Sequence, residues 1–428
     1  MKAAPATFLL GAVLAGWVLP NPTGGPIGTA HAQAAVVSRL APLEASSKQP
    51  ARSGHPQLDS RAHRAAVAIR LYRELARGSG NVFASPYSLE MALAMAQAGA
   101  RGATAREFAD VLGSDPAGSP AQPGGDGLTF TVANALWVQS GLALRPGYVA
   151  EIHGKFDGLV ESLDFRGTPE GAARTINSWV SQKTSGRIDS VVSPREFGDH
   201  TSLVLTDAVY FKGTWEKSFD PGLTDKQHFH LPGGRCVRTD LMHDTAHFDF
   251  YRGENFKMLI LPFRGGRDAV DMLVLLPDRI GQLRSLEQQL TISALDGWVG
   301  EADRELVEVT LPKFHDTQML DLTTVARALG LSAAFSRRRA DFSGIAELVS
   351  QRLYISDVLQ KTYVDLDERG TEAAAASVMG MDVETTAHYQ SDPEQPVVFD
   401  ANHRFIYLIR DDTTGDILFI GRMENPRA

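Results

Sequence analysis

Serine, histidine and aspartate are plentiful in this 428-residue chain, yet their spacing selects no catalytic triad. The sequence holds no Gly-x-Ser-x-Gly elbow, His-Glu-x-x-His pair, Cys-x-x-Cys pair or phosphate-binding glycine loop. Asp365-Leu366-Asp367-Glu368-Arg369-Gly370 opens like a calcium loop, but Arg369 takes a ligand position and Ala376 stands where the closing glutamate belongs. Cys236 is the single cysteine, which rules out an intramolecular disulfide. Arg235 and Arg238 lie close to it, and an inert thiol is the plainer reading than a redox or nucleophilic one. No metal, no cofactor and no enzymatic activity are expected.

The informative spacing is mechanical. Gly370 tolerates almost any backbone angle and can act as a hinge. Beyond it the run Thr371-Glu372-Ala373-Ala374-Ala375-Ala376-Ser377 continues to Glu384 without a proline. Successive strand residues point to opposite faces. On one face fall Thr371, Ala373, Ala375, Ser377, Met379, Met381 and Val383; on the other fall Glu372, Ala374, Ala376, Val378, Gly380, Asp382 and Glu384. Every charge lies on the second face. Extended at about 3.3 Å per residue, the segment reaches roughly 45–50 Å and is patterned to bury one side in a sheet. A short exposed helix competes, because alanine favours helix and Thr371 could cap it. That helix lacks a capping box, since Ala374 occupies the glutamate position, and its length makes it marginal in water.

The chain resembles the serpins, and six blocks in family order carry the resemblance. They are the hinge just described, Asn81 to Ser88, Ile176 to Val180 followed by Thr184 to Ile188, Tyr210-Phe211-Lys212-Gly213-Thr214-Trp215, Phe399 to Phe405, and Phe419-Ile420-Gly421-Arg422 with Asn425-Pro426 behind it. The resemblance implies an α+β serpin fold, with helices packed around three β-sheets and an exposed reactive loop that can insert into the large central sheet. It implies a bacterial-type, secreted, inhibitory member with a metastable fold. A target serine protease would attack the loop, form a covalent acyl complex and be trapped as the freed segment inserts.

By the same resemblance Glu368, Gly370, Thr371, Glu372, Ala373, Ala374, Ala375 and Ala376 form the loop hinge. Ser85, Ser88, Asp207 and Gln360 match the shutter, where the central strands part, and Trp215 matches the breach, where insertion begins. Most relatives carry Asn and His where this chain has Asp207 and Gln360, and the Gln360 amide is suited to donate to the Asp207 carboxylate. These residues could also be plain strand positions, and Trp215 an ordinary core aromatic. Counting forward from Glu368 places the reactive bond at Glu384–Thr385, with Val383–Glu384 and Thr385–Thr386 as neighbours; counting backward from Phe405 points near Pro393 instead. The forward count is preferred because insertion depth depends on the hinge side. The flanking Met381, Val383, Thr385 and Thr386 favour an elastase- or subtilisin-like target. The competing function is a non-inhibitory carrier, storage or chaperone serpin, against which Thr371 and the alanines speak.

Composition bounds the rest. A hydrophobic content of 43% supports a large core, and a net charge of −9 argues against a nucleic-acid binder. Arg337-Arg338-Arg339 is the one concentrated basic run, a solvated turn or else an exosite. Residues 7–19 are apolar and too short to span a bilayer, and Ala30-His31-Ala32 suits signal-peptidase cleavage. An uncleaved anchor is the alternative. Residues 1–32 are therefore expected to be a signal peptide, 33–60 a flexible arm and 61–427 the serpin domain, giving a secreted or periplasmic monomer with no membrane in the mature form. Apolar spacing from Arg61 through Val67, Leu71 and Leu75 predicts a helix, as does Met91 to Ala98. Strands are predicted at 203–211, 271–276, 306–311 and 352–366, with a closing hairpin at 405–410 and 417–422. Residues 113–127 read as loop, where many relatives carry another helix, which puts activation by glycosaminoglycans in doubt.

Overall fold

The computed structural model of the chain describes residues 56–113, 124–125, 127–264, 270–347, 352–371 and 395–427. The leader, most of the arm and the loop from Glu372 to Glu394 lie outside the described residues. The hinge alanines and all candidate reactive bonds fall in that loop.

The strands, numbered along the chain, sort into two hydrogen-bonded networks. The first runs β1 (Val82–Ala84), β16 (Ile417–Met423), β15 (Phe405–Asp411), β9 (Val270–Pro277), β8 (Phe256–Pro262), β7 (Cys236–Arg252), β10 (Asp303–Pro312) and β14 (Val397–Asp400), with β6 (Asp225–His230) on β7. The second runs β11 (Phe314–Asp321), β12 (Ile355–Asp367), β13 (Gly370–Thr371), β5 (Leu203–Thr214), β3 (Leu128–Gln139) and β2 (Gly124–Gly125), with β4 (Leu159–Leu163) on β3. The expected three sheets become two networks because β7 is continuous over 17 residues. It pairs with β6 from Cys236 to Leu241, with β10 from Leu241 to Phe250 and with β8 from Asp249 to Arg252.

The helices are α1 (Pro56–Leu75), α2 (Pro86–Gly99), α3 (Gly102–Leu112), α4 (Pro146–Phe156), α5 (Pro169–Lys183), α6 (Leu283–Gln289), α7 (Ile292–Gly300) and α8 (Thr323–Leu329). Pro86 suits the first turn of α2, where its missing N–H costs nothing, and Ser85 caps the helix by accepting from the Ser88 N–H at 3.2 Å. Leu89, Leu93 and Met95 of α2 are wholly buried in the main core, together with Leu136 of β3, Leu205 of β5 and Phe419 of β16. On the opposite face of the second sheet, Ala172, Ile176 and Val180 of α5 cover Ala135, Val204 and Ala208. β5 is thereby buried on both faces for most of its length, which is why it reads as a continuous apolar run.

Two departures from the sequence reading matter. Helix α1 begins at Pro56 rather than Arg61, inside the segment expected to be a flexible arm. Helix α3, which buries Thr104, Phe108 and Val111, was not anticipated.

Candidate strand-insertion site

β5 and β12 lie side by side and parallel, from Leu203 facing Ile355 to Tyr210 facing Tyr363, with one irregularity after Ile355. Beyond Tyr210 they separate, and β13 fills the opening. Gly370 faces Thr214 on one side and Asp367 on the other; Thr371 faces Gly213 and Leu366. β13 is antiparallel to both neighbours, so the chain leaving β12 turns back and enters between the strands it joins.

Glycine is required at this turn. Gly370 has φ +133°, and a Cβ there would sit 2.0 Å from the Gly213 carbonyl oxygen and 2.8 Å from the Thr214 Cα. Thr371 is wholly buried, and its hydroxyl oxygen accepts from the Gly213 N–H at 2.5 Å. The turn is fixed from outside by Trp215. The Trp215 indole N–H donates to the Asp367 carbonyl at 3.0 Å, its backbone N–H donates to the Arg369 carbonyl at 2.8 Å, and its ring stacks on Phe263 at 4.4 Å. The Glu368 carboxylate accepts from Lys313 at 2.8 and 3.0 Å and from the Thr224 hydroxyl at 2.7 Å. Burial acts to raise the Glu368 carboxyl, but the bonds from Lys313 and Thr224 outweigh it and hold the group below its ordinary range.

Six residues back along β5, from Gly213 to Asp207, the shutter residues meet. Gln360 and Asp207 face each other in register across the β5–β12 seam, and both are wholly buried. Gln360 Nε2 donates to Asp207 Oδ2 at 2.5 Å and to the Ser85 carbonyl at 2.9 Å, while Gln360 Oε1 accepts from the Ser85 N–H at 2.8 Å. The Ser88 hydroxyl donates to Asp207 Oδ1, and the Ser85 hydroxyl donates to the Leu418 carbonyl at 2.7 Å. One amide therefore ties α2, β5 and β12 together. Burial pushes the Asp207 carboxyl up to about 7, opposed by the bonds from Ser88 and Gln360.

Sequence reasoning missed Asn134, Lys313 and Thr224. Asn134 of β3 faces Asp207 in register and donates to the Ser88 carbonyl at 3.3 Å. Its signal was a lone amide inside the apolar run Val132-Ala133-Asn134-Ala135-Leu136. Lys313 carried no local signal, because its partner lies 55 residues downstream.

The remaining candidates stand apart from the seam. The Arg337 guanidinium lies over the Tyr354 ring at 5.9 Å and 3.2 Å from His200 Nδ1; Arg339 donates to the Ser332 hydroxyl, and the Arg338 carbonyl accepts from Arg352. Cys236 is exposed, its sulfur 3.3 Å from His230 Nδ1 in the β6–β7 hairpin.

Comparison with known proteins agrees with this geometry. The family described as "Serpin (serine protease inhibitor)" matches residues 62–426. An uncharacterized serpin-like protein of Thermococcus kodakarensis is 38% identical over 369 residues, covering 83% of each chain. Serpin-Z4 of Hordeum vulgare is 33% identical, covering 85% of this chain and 96% of its own. Among solved structures, Serpin48, described as a highly specific serpin in the insect Tenebrio molitor, superposes with a TM-score of 0.74 at 29% identity, covering 87% of this chain and all of its own. These relatives come from an archaeon and a plant, so the comparison supports the family and not the expected bacterial type. The chain belongs to the serpin family of serine protease inhibitors.

Proposed function

We propose that this serpin is a secreted, inhibitory member that traps serine proteases by strand insertion after cleavage of its loop near Glu384–Thr385. The carrying observation is Thr371, already seated between β5 and β12 and antiparallel to both, above a seam that is zipped shut. In the proposed mechanism a protease serine attacks the carbonyl of Glu384. The peptide bond to Thr385 breaks, the new amine leaves with the downstream chain, and the acyl-enzyme ester remains on the upstream segment. That segment follows the track Thr371 has opened and carries the enzyme with it.

Register supports the forward count. Continuing the antiparallel pairing one residue at a time from Thr371 opposite Gly213 would bring Ser377 level with Asp207 and Gln360, and Met381 level with Leu203, where β5 begins. Glu384 would then stand just past the strand. A bond near Pro393 would overrun β5 by a long way. Burial of Met379, Met381 and Val383 on insertion would contribute on the order of 4–9 kcal/mol, at about 1.5–3 each. Ordering the segment offsets part of this, at roughly 1–2 kcal/mol per backbone residue.

The test is incubation with elastase-, subtilisin-, chymotrypsin- and glutamate-specific proteases, read on denaturing gels and by mass spectrometry. A stable complex and a released peptide beginning at Glu384, Thr385 or Thr386 are expected. Cleavage without any complex would favour the carrier or storage reading, and a peptide beginning at Glu394 would overturn the forward count.

A further inference from the structure

The middle of the seam has a property that the strand-insertion reading does not itself require. We infer that Asp207 is a proton-operated lock on the β5–β12 seam, holding the sheet shut when its carboxyl is neutral and favouring parting when it is ionised. For its consequence on inhibition this rests on the reading above; for the protonation itself it does not.

The argument starts from what surrounds the carboxyl. Ser88 faces it from α2, Asn134 from β3 and Gln360 from β12, and all three are uncharged. Glu90, a buried carboxyl on the same helix as Ser88, is set by its own burial and by Arg64 and Asp416 instead. A wholly buried carboxylate with only neutral neighbours leaves its charge uncompensated.

The hydrogen bonds accommodate both protonation states. When ionised, Oδ1 accepts from the Ser88 hydroxyl and Oδ2 from the Gln360 amide. When neutral, a proton on Oδ1 donates to the Ser88 oxygen, and the Ser88 hydrogen turns to Asn134 Oδ1 at 3.4 Å. Oδ2 keeps its bond to Gln360 throughout. The neutral state makes three of these bonds against two in the ionised state and buries no charge, so the closed seam prefers the neutral one.

The sign follows from linkage. With the closed-state group at about 7 and a solvated aspartate near ~3.9, the locking contribution is full below the solvated value. It is lost as pH rises through about 7 and changes no further above that. Between the two values the opening equilibrium grows by up to about tenfold per pH unit. Mild acid locks the inhibitor, and neutrality releases it.

The test needs no protease. A synthetic peptide with the sequence of residues 371–384 is annealed into the intact protein from pH 5 to 8.5. Wild-type annealing is expected to accelerate at least about tenfold between pH 5 and 7 and then level off. Asp207→Asn copies the neutral form, with Oδ1 accepting from Gln360 and Nδ2 donating to Ser88, and should stay flat at the slow rate. Ser88→Ala removes a donor that favours the carboxylate, so its midpoint should move to higher pH. Infrared titration of the buried carboxyl should show a protonated band in wild type at pH 6 that Asp207→Asn lacks. An identical pH profile in wild type and Asp207→Asn, or no such band at pH 6, overturns the lock. Should Asp207→Asn not fold, the Ser88→Ala midpoint and the infrared titration decide the matter. A sheet that accepts no peptide at any pH counts against strand insertion, while the infrared titration still judges the lock.

Discussion

Strand β5 is held to its neighbours in two different ways along its length. At its Gly213 end the seam is open, entered by β13 and secured by an ion pair, Lys313 with Glu368, that reaches the surface. At Asp207 the seam is closed, secured by an amide and a hydroxyl, with no cation in hydrogen-bonding reach among the described residues. The first end is stabilised by charge and the second is burdened by it. A sheet that must begin to open easily, yet not run open unprompted, is served by that division: entry is committed at the edge, and the resistance sits in the middle.

The largest effect expected from disturbing this arrangement comes at the entered end. Thr371→Arg places a charge at a wholly buried position at the first step of insertion. Loop cleavage by a target protease should persist while covalent complex on denaturing gels falls roughly tenfold or more. Trapping at the wild-type ratio would show that insertion does not pass through this residue.

At the closed end, Gln360→Ala strips partners from Asp207 Oδ2 and from both the N–H and carbonyl of Ser85. The Ser85 carbonyl keeps the Leu89 N–H at 3.2 Å, and leaving Asp207 Oδ2 and the Ser85 N–H buried and unpaired should cost about 2–4 kcal/mol and lower the melting temperature by ~5 °C. Peptide annealing should also accelerate. Unchanged melting by circular dichroism would mean that the shutter bonds do not hold the seam.

A smaller change is expected from Lys313→Met, about 1 kcal/mol, because the lysine is partly solvated. Its pH dependence sharpens the contrast between the two ends. Glu368 is held below its ordinary range, so its contribution is present at neutral pH and is lost as pH falls through the folded value. The melting difference between Lys313→Met and wild type should therefore vanish in acid, where the Asp207 lock is strongest.

The smallest effect on stability is expected for Glu384→Ala, within about 0.5 kcal/mol. It should leave inhibition of an elastase-like enzyme intact or improved and weaken that of a glutamate-specific one. Rate constants for the two enzymes, measured side by side, check this.

How much of this was legible in the sequence varied with the range of the interaction. The closing hairpin was plain from its composition, and the Gly370 hinge from one glycine ahead of small residues. Asp207 and Gln360 were brought together by the resemblance to the family's shutter, and the 2.5 Å bond between them follows from the complementarity of carboxylate and amide. Asn134 was passed over although it stands as a lone amide in an apolar run, because only its cross-strand partner Asp207 gives that amide a role. α3 was missed for a different reason. Its buried Thr104, Phe108 and Val111 do recur at helical spacing, but its first turn offers no side-chain cap to mark where the helix begins. Lys313 and Glu368 are ordinary surface residues until the fold brings them together.

The fixed pairing of Thr371 with Gly213 also makes the length of the following segment a whole-number quantity. Deleting or inserting one residue between Ala373 and Val383 would turn every side chain beyond that point to the opposite face. Asp382 would then point inward while Met381 and Val383 pointed out. Two-residue changes would keep the faces and alter only the depth reached. Loop variants of this inhibitor should thus fall into odd and even classes, the even tolerated by degrees and the odd failing outright.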